Sequence, residues 1–502
     1  MKIRSLIPGA ACVLLLSAPL ANAQGFWLPA GDMRLRDDVA LLVDEGVILL
    51  PATTWPIPAA DVRTAIDRVN EDNIGNVALL AALQRVRARV ALPNGADEWD
   101  SREVSLTAGR APLIRDFGTL GRDAGGFTSV GGTTTDRWST TVSLTGAFVP
   151  RDGQRLRWDG SDITVRWGNW LFSANQMSRN WGPGFGGSLI LSNNARPMPQ
   201  LSLDRMSSKR SSVPVLSWIG PWRFSGVLAA TEQHGRPDIN HALFMGMRFT
   251  FQPLPILEIG ASRSAQFCGQ NLQGTRPPCS LGTIGKMMLG KDNVGYHGVT
   301  QANEPGNQMA GFDIRITSPF RVLPMAIYSQ MIAEDNGTGL IPNRWLAQFG
   351  GEGWVYLDSG SVLRGQLEYS QTNCKWYAPA PNADCAYRNG VFFGGYRYRG
   401  ANIGHPTDSD SETWEMRLAL TQASGAAWSA KLRHGRLDAV GAPDRYNPLT
   451  RGRSDYDAAE FGWRGLVRGQ DVSLQLGYER QQTANPLRQD GPYGFLQWRR
   501  AL

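Results

Sequence analysis

Few residues of this 502-residue sequence have the types and spacing of a catalytic site. A serine nucleophile needs a base nearby and a sharply shaped turn. The best candidate, Gly187-Ser188-Leu189-Ile190, lacks the second glycine of such a turn. Histidine is the commonest general base, and the sequence has five: His234, His241, His297, His405 and His434. We therefore predict no catalytic residues and no enzymatic activity.

An acidic run, Asp408-Ser-Asp410-Ser-Glu412, carries the carboxylate oxygens that calcium prefers. The run lacks the glycine and the twelve-residue spacing of an EF-hand loop. Acidic runs are also common in solvated surface loops. We favour a solvated loop, and we predict neither a metal site nor a cofactor.

A segment rich in arginines and aromatic residues has the composition of a sugar-binding surface. Aromatic rings stack on the apolar faces of sugars, and arginine binds carboxylates through a bidentate, permanently charged fork. The alternative is that the rings pack the loop onto itself or into a barrel mouth, and that the arginines face lipopolysaccharide phosphates. The candidate binding residues are Lys375, Trp376, Tyr377, Phe392, Phe393, Tyr396, Arg397, Tyr398 and Arg399.

The first 23 residues are predicted to be a signal peptide. Lys2 and Arg4 precede an apolar run from Leu6 to Leu20, and Ala21-Asn22-Ala23 matches the small-x-small cleavage rule. Removal of the two basic residues lowers the formal net charge from +7 to +5. That charge is too weak for nucleic-acid binding, which needs a concentrated basic stripe.

Export makes disulfide bonds the expected state of the remaining cysteines. They form two pairs with eleven-residue separations, and the sequence has no C-x-x-C motif and no histidine at zinc-ligand spacing. Two local bridges are the simplest of the three possible connectivities: Cys268–Cys279 and Cys374–Cys385.

Composition and periodicity divide the mature chain into a helical segment and a β domain. Glycine is abundant (57 residues), which disfavours long helices. Three short apolar runs with a period near 3.6 predict a three-helix bundle within residues 24–98. From about residue 99 to residue 502 the period becomes two, as in Val472, Leu474, Leu476 and Tyr478.

The length of the β segments favours a membrane barrel over a soluble sandwich. They run about 10 residues, which is enough to cross a bilayer at a tilt. We count 16 strands directly and prefer 18, with apolar residues facing lipid and polar residues facing a lumen. Connections alternate in length, and the short ones are predicted on the periplasmic side: near 150–160, 220–221, 253–255, 318–322, 358–361, 423–426 and 468–471.

Several motifs in consistent order resemble the Wzi family of capsule-assembly proteins. They include residues 36–48 with Thr54-Trp55-Pro56, 220–222, 292–293, 303–313, 334–335 and 387–390. We interpret the most distinctive motif residues as structural: Trp181, Gly182, Pro183, Gly184, Arg196, Asn303, Glu304, Pro305, Gly306 and Asn307.

The resemblance implies an 18-stranded outer-membrane barrel with a periplasmic helical bundle and a lectin-like role in holding capsular polysaccharide on the cell. We interpret the chain as a monomer in the bacterial outer membrane, in contact with lipid and lipopolysaccharide. Its long loops would bind capsular or extracellular polysaccharide through many weak contacts. The alternative function is a porin-like diffusion channel, because barrels of this width leave aqueous pores.

Overall fold

The computed structural model describes residues 25–91, 98–231, 239–271, 279–288, 298–300, 304–320, 322–334, 344–376, 385–388, 392, 394–441, 446–482 and 490–502. The predicted signal peptide therefore lies outside the described residues, as do Tyr377, Phe393 and Asn303.

Eighteen antiparallel strands form one closed barrel, which confirms the predicted fold class and the preferred strand count. Each strand pairs with its neighbours in sequence, and the last strand pairs with the first. The strands are β1 Glu98–Arg110, β2 Gly125–Thr135, β3 Trp138–Ala147, β4 Asp162–Trp167, β5 Trp170–Asn175, β6 Gln200–Arg205, β7 Trp222–Ala230, β8 Leu243–Leu254, β9 Leu257–Phe267, β10 Gly306–Thr317, β11 Met325–Glu334, β12 Trp345–Tyr356, β13 Val362–Gln371, β14 Glu412–Thr421, β15 Ala427–Leu437, β16 Ser454–Val467, β17 Gln470–Gln482 and β18 Gly491–Ala501.

The alternation along the strands is inside-out relative to a soluble protein. On β13, Arg364 and Glu368 point into the barrel and are 3% and 2% exposed, whereas Leu363 and Leu367 point outward and are 37% and 50% exposed. The same pattern places aromatic and aliphatic side chains on the outer surface of other strands, among them Phe312, Trp414, Phe461 and Leu496. An apolar belt around a polar interior is the surface of an outer-membrane barrel.

Connections of different length lie at the two ends of the barrel. The loop end carries L1 (111–124), L2 (148–161), L3 (176–199), L4 (231–242), L5 (268–305), L6 (335–344), L7 (372–411), L8 (438–453) and L9 (483–490). The turn end carries the other eight connections, two of which are residues 136–137 and 468–469. Short turns face the periplasm in outer-membrane barrels.

One predicted connection lies at the wrong end. Residues 150–160, predicted as a short periplasmic turn, belong to L2 at the loop end. Three strands precede L2, so the chain has crossed the barrel an odd number of times. The prolines and glycines that suggested a turn serve both kinds of connection.

Three helices precede the barrel: α1 Met33–Asp44, α2 Ala59–Ile66 and α3 Val77–Val90. Asp32 and Asn76 accept hydrogen bonds from the first free N–H groups of α1 and α3 and so define where these helices begin. Their apolar faces form one core around Val39, Val62 and Leu83. Among the residues described, none of the helices has the length and apolar composition needed to span a bilayer.

Helix α1 inserts into the turn end of the barrel. Its carboxylates pair with arginines of the barrel interior: Asp44 with Arg315 at 2.5 Å, Asp37 with Arg417 at 2.6 Å, and the N-cap Asp32 with Arg464 at 2.6 Å. Charged groups away from water need partners of opposite sign. These pairs therefore fix the helix in the turn end of the barrel.

A segment after α1, residues 52–58, runs through the lumen, and we call it the lumenal strap. Glu258 accepts hydrogen bonds from the backbone N–H groups of Ala52 and Thr53 at 2.9 and 3.0 Å. Arg223 donates to the carbonyl oxygens of Thr54 and Pro56. Barrel side chains thus satisfy the backbone polar groups of the strap, as buried backbone requires.

Loop L3 folds inward and meets the lumenal strap. Strand Asn180–Trp181 of L3 pairs with strand Thr54–Trp55. Farther along L3, Glu368 of β13 accepts hydrogen bonds from the N–H groups of Phe185 and Gly186. Most of the loop is buried. In the described part of the chain, the bundle, the strap and L3 thus fill the barrel interior, which speaks against a wide open pore.

Two disulfide bonds have the predicted connectivity. Cys268–Cys279 lies in L5, with the two Cα atoms 4.9 Å apart. Cys374–Cys385 lies in L7, with the two Cα atoms 6.1 Å apart. A short helix, α4 Leu281–Met288, follows Cys279 and packs Met287 against Phe267 of the barrel. Both bridges therefore tie loops at the loop end.

We expect the purified full-length protein to pass little or no steady current in a planar lipid bilayer, because the filled lumen leaves ions no wide water path. An open porin in the same chamber serves as the positive control. Stable openings of porin size would contradict this expectation and would support the diffusion-channel alternative.

Candidate functional site

A crevice at the loop end, with about 1080 Å³ of space, is lined by segments of L1, L2, L3, L7 and L8. We call it the arginine crevice after its six lining arginines: Arg115, Arg122, Arg151, Arg157, Arg196 and Arg399. Three carboxylates line the same space: Asp123, Asp152 and Asp408. The lining therefore has an excess of positive charge that suits an anionic ligand.

A buried ion-pair network forms one wall of the crevice. Asp152 lies between Arg157 at 2.9 Å and Arg196 at 2.5 Å. Arg157 also pairs with Asp123, and Arg196 pairs with Asp159, both at 2.7 Å. Burial acts to raise the pKa of Asp152, but the hydrogen bond from Arg196 and the charge of Arg157 outweigh it and hold this pKa below its ordinary value. Both arginines are therefore held rigidly.

Arg122 and Arg115 bring positive charge that is not paired, among the described residues, with any carboxylate within 4 Å. Arg122 donates to three carbonyl oxygens of L3, those of Asn193, Asn194 and Ala195. Arg115 donates to two carbonyl oxygens within L1. Burial lowers the pKa of Arg122 to about 10, although Asp159 opposes the shift. Arg122 therefore stays protonated at neutral pH and adds positive charge to the crevice.

Of the six lining arginines, Arg151 alone is exposed, and Arg399 is one of three that are half-buried. Arg151 is exposed on L2, where its backbone N–H donates to Asp123. Arg399 is half-buried on L7, with its guanidinium 6.0 Å from the ring centroid of Tyr398.

Four of the predicted sugar-binding residues are buried. Phe392, Tyr396, Arg397 and Tyr398 are all at most 3% exposed. Arg397 makes two hydrogen bonds to Asp408, and the Tyr396 hydroxyl lies 2.8 Å from both the Ile190 carbonyl and Ser264 Oγ. These four side chains pack inside the protein, as in the alternative that the rings pack the loop onto itself or into the barrel mouth. Of the L7 candidates, Arg399 alone lines the crevice among the residues described.

Lys375 and Trp376 lie apart from the crevice. Trp376 is 52% exposed and packs on Phe349, with ring centroids 4.5 Å apart. Phe349 is only partly buried. It follows the inward-pointing Gln348 and therefore points outward from β12. Lys375 lies 3.8 Å from Glu412. An exposed tryptophan at the loop end of the barrel wall is typical of the aromatic girdle at a membrane interface.

The motif residues of L3 bind other parts of the chain. The carbonyl oxygens of Pro183 and Gly184 accept hydrogen bonds from Arg36 of α1. A Cβ atom on Gly184 would lie 2.6 Å from the backbone carbonyl oxygen of Gly187, so the loop passes too close to itself for any larger residue. Gly182 and Trp181 lie beside Gln330, whose amide donates to the Trp181 carbonyl.

The second motif supports L7. Asn307 donates to Glu334 at 3.2 Å, and Glu334 accepts from the backbone N–H of Tyr387. Glu304, Pro305 and Gly306 are buried at the start of β10. These contacts join each motif to other parts of the chain, and the structural role of both motifs stays a prediction.

The remaining candidates for chemistry lie in the interior. Ser188 Oγ donates to the Trp181 carbonyl. Burial, with the charge of Arg433 adding to it, lowers the pKa of His405 to about 3. Asp408 of the acidic run pairs with Arg397 at 2.5 Å. Throughout the described ranges, no three His, Cys, Asp or Glu side chains are grouped to hold a metal ion.

The sequence reasoning missed four lining arginines: Arg115, Arg122, Arg151 and Arg157. Because residues 150–160 were assigned to the periplasmic side, Arg151 and Arg157 could not be placed with L7. The density of arginines in L1 and L2 was the available signal. It becomes informative only once both loops are known to share an end with L3 and L7.

Replacing Asp152 with Asn should lower the free energy of unfolding by about 3–5 kcal/mol, because two buried arginines would lose their shared carboxylate. Asp136→Asn makes the same chemical change in an exposed pair with Arg166 and should cost no more than about 1 kcal/mol. Urea titration of both variants in the same lipid measures the difference. Equal effects would contradict a structural role for the network.

The chain resembles known proteins in both sequence and fold. Residues 104–493 match the family described as capsule assembly protein Wzi. An uncharacterized 55.8 kDa protein in the cps region of Klebsiella pneumoniae is 31% identical over 335 residues, which are 66% of this chain and 62% of that protein. The chain thus aligns with about three fifths of that relative's length.

A solved structure shares the fold. It is Wzi, an outer membrane protein involved in group 1 capsule assembly in Escherichia coli and a carbohydrate-binding β-barrel. The TM-score is 0.80 at 23% identity, and the superposition covers 94% of this chain and 98% of that chain. Since the family match spans most of the chain, this protein belongs to the Wzi family of capsule assembly proteins.

Proposed function

We propose that this protein is a lectin-like protein of the outer membrane that binds capsular or extracellular polysaccharide and retains it at the cell surface. The observation that carries the proposal is the arginine crevice, a positively charged recess at the loop end. The Escherichia coli relative is a carbohydrate-binding barrel involved in capsule assembly, which supports the same class of ligand.

The excess of arginine in the crevice favours a polymer with acidic sugars. A guanidinium group binds a carboxylate through two parallel hydrogen bonds, and such charge-assisted bonds are stronger than neutral ones. The wall around Asp152 keeps Arg157 and Arg196 in place, while Arg151 of L2 and Arg399 of L7 would contact the ligand from two other loops. Fixed charges lower the entropic cost of binding, since few side chains need to be ordered.

Retention of a polymer does not require one deep pocket. A repeating polysaccharide presents the same acidic group many times, so many barrels can hold one chain through weak contacts that act together. Each barrel would act as a monomer anchored by lipid and lipopolysaccharide around its apolar belt. The proposed activity is binding alone, and it involves no chemical step.

The filled lumen weighs against the diffusion-channel alternative. The strap and L3 occupy the space that a porin leaves to water, and α1 occupies the turn end. The same filling supports a rigid platform for the crevice, because L3 supplies the carbonyl oxygens that hold Arg122.

The test compares polymer retention in strains that express variants of two lining arginines, Arg151 and Arg399. Deletion of the gene should leave total polysaccharide unchanged and shift it from the cell to the medium. The double variant Arg151→Gln, Arg399→Gln should release at least about twofold more polymer than wild type, because two charged contacts per barrel are lost. Quantification of polysaccharide in cell and supernatant fractions gives both results.

Arg155→Gln is the matched control, since Arg155 is an exposed arginine of L2 that does not line the crevice. It should retain polymer as wild type does. Unchanged cell-associated polymer in the deletion strain would overturn the proposed function. Normal retention by the double variant, at a normal barrel level, would overturn the assignment of the crevice.

A further inference from the structure

A second charged crevice lies at the opposite end of the barrel, between the helical bundle and the barrel wall. It has about 970 Å³ of space and is bordered by α1, α3, the turn at Gly425 and the turn-end parts of β1, β16, β17 and β18. We call it the seam crevice. Five arginines line it: Arg34, Arg85, Arg89, Arg464 and Arg499.

Three of the four lining carboxylates are already paired. Asp38 accepts two hydrogen bonds from Arg85, at 2.6 and 2.9 Å. Asp32 and Asp471 both accept from Arg464, each at 2.6 Å. These contacts account for Arg85 and Arg464 and leave Glu103 as the remaining carboxylate.

The other arginines have weak partners or none. Arg34 donates to the neutral carbonyl oxygen of Gly425 at 2.6 Å. Within the described ranges, the side chains of Arg89 and Arg499 make no hydrogen bond to another residue, and neither guanidinium lies within 4 Å of the Glu103 carboxylate or any other. The Nε atom of Arg89 is also shielded from solvent without a partner.

Convergence of like charges in a partly buried space is unfavourable unless an anion is present. Burial lowers the pKa of Arg89, and the nearby charge of Arg499 lowers it further, although Asp32 opposes both effects. Two half-buried guanidinium groups on facing elements, α3 and β18, can bind one oxyanion from two sides.

We propose that the seam crevice binds an oxyanion, a carboxylate or a phosphate group, on a ligand that enters from the periplasmic side. Arg89 and Arg499 would hold the anion, with Arg34 beside them. Leu35 and Ala88 add an apolar wall, so the ligand can carry a body beyond its charged group. This site is independent of the arginine crevice, since the two share no residue.

The ligand's oxyanion could belong to an acidic sugar or to a phosphate. Calorimetric titration of the full-length protein in detergent distinguishes these sources, with glucuronate and inorganic phosphate as probes and glucose as the uncharged control. The titrations use the Arg151→Gln, Arg399→Gln background, so that the loop-end crevice contributes little. We expect saturable binding of at least one anion and none of glucose.

Adding Arg89→Gln or Arg499→Gln should weaken that binding at least about tenfold, because each removes one charged fork. Arg68→Gln, which changes an exposed arginine of the bundle, should leave it unchanged. Binding of glucuronate alone, phosphate alone or both would support the site and name its chemistry. Absence of anion binding, or full affinity in both variants, would overturn it.

A second measurement does not depend on variants. Phenylglyoxal modifies accessible arginines, and peptide mass spectrometry reports which ones. The bound anion should protect Arg89 and Arg499 in the wild-type protein, whereas Arg68 should react equally with and without it. Equal modification of Arg89 and Arg499 in both conditions would contradict the proposal. Failure here would leave the retention function intact, since that rests on the other end of the barrel.

Discussion

The structure depends on one constraint: charged groups that point into a barrel must find partners of opposite charge inside it. Arg315, Arg417 and Arg464 extend inward from three different strands, and helix α1 supplies the aspartates that pair with them. Without the helix, Arg417 would lose its aspartate, and Arg315 and Arg464 would each keep only a carboxylate of the barrel, Glu352 and Asp471. The helical segment is thus part of the barrel's interior.

The same constraint connects the two ends of the molecule. Arg36 of α1 donates to the carbonyl oxygens of Pro183 and Gly184, and its guanidinium lies 4.6 Å from the ring centroid of Phe117 in L1. Farther along L3, Asn193 donates to the Phe117 carbonyl, and the carbonyls of residues 193–195 hold Arg122 of the arginine crevice. An unbroken chain of polar contacts therefore runs from the turn end to the loop end.

The barrel was predictable from sequence, because lipid enforces a period of two along every strand. Leu363, Leu367 and their alternating polar neighbours carry that signal directly. The pairing of the cysteines was equally local, since each bridge joins residues eleven apart. The side of L2 was not predictable from its own residues, because it depends on the number of strands before it.

The binding residues were harder to predict for a different reason. A barrel interior and a sugar-binding surface both use arginines and aromatic rings. Arg397 and Arg399 are two positions apart, yet one pairs with the buried Asp408 and the other lines the crevice. The L7 sequence alone does not show which of the two arginines is buried and which lines the crevice. Arg397 finds its partners within L7, and L7 in turn packs on L3, which lies about two hundred residues earlier in the chain.

The barrel closes where β1 and β18, its first and last strands, pair. The lumenal strap, residues 52–58, lies inside this closed barrel. Residues that are synthesised early are thus enclosed by strands that are synthesised later. During biogenesis, the lumenal strap and the helical bundle must therefore enter the barrel before or while its first and last strands pair. A barrel with an empty lumen has no such requirement.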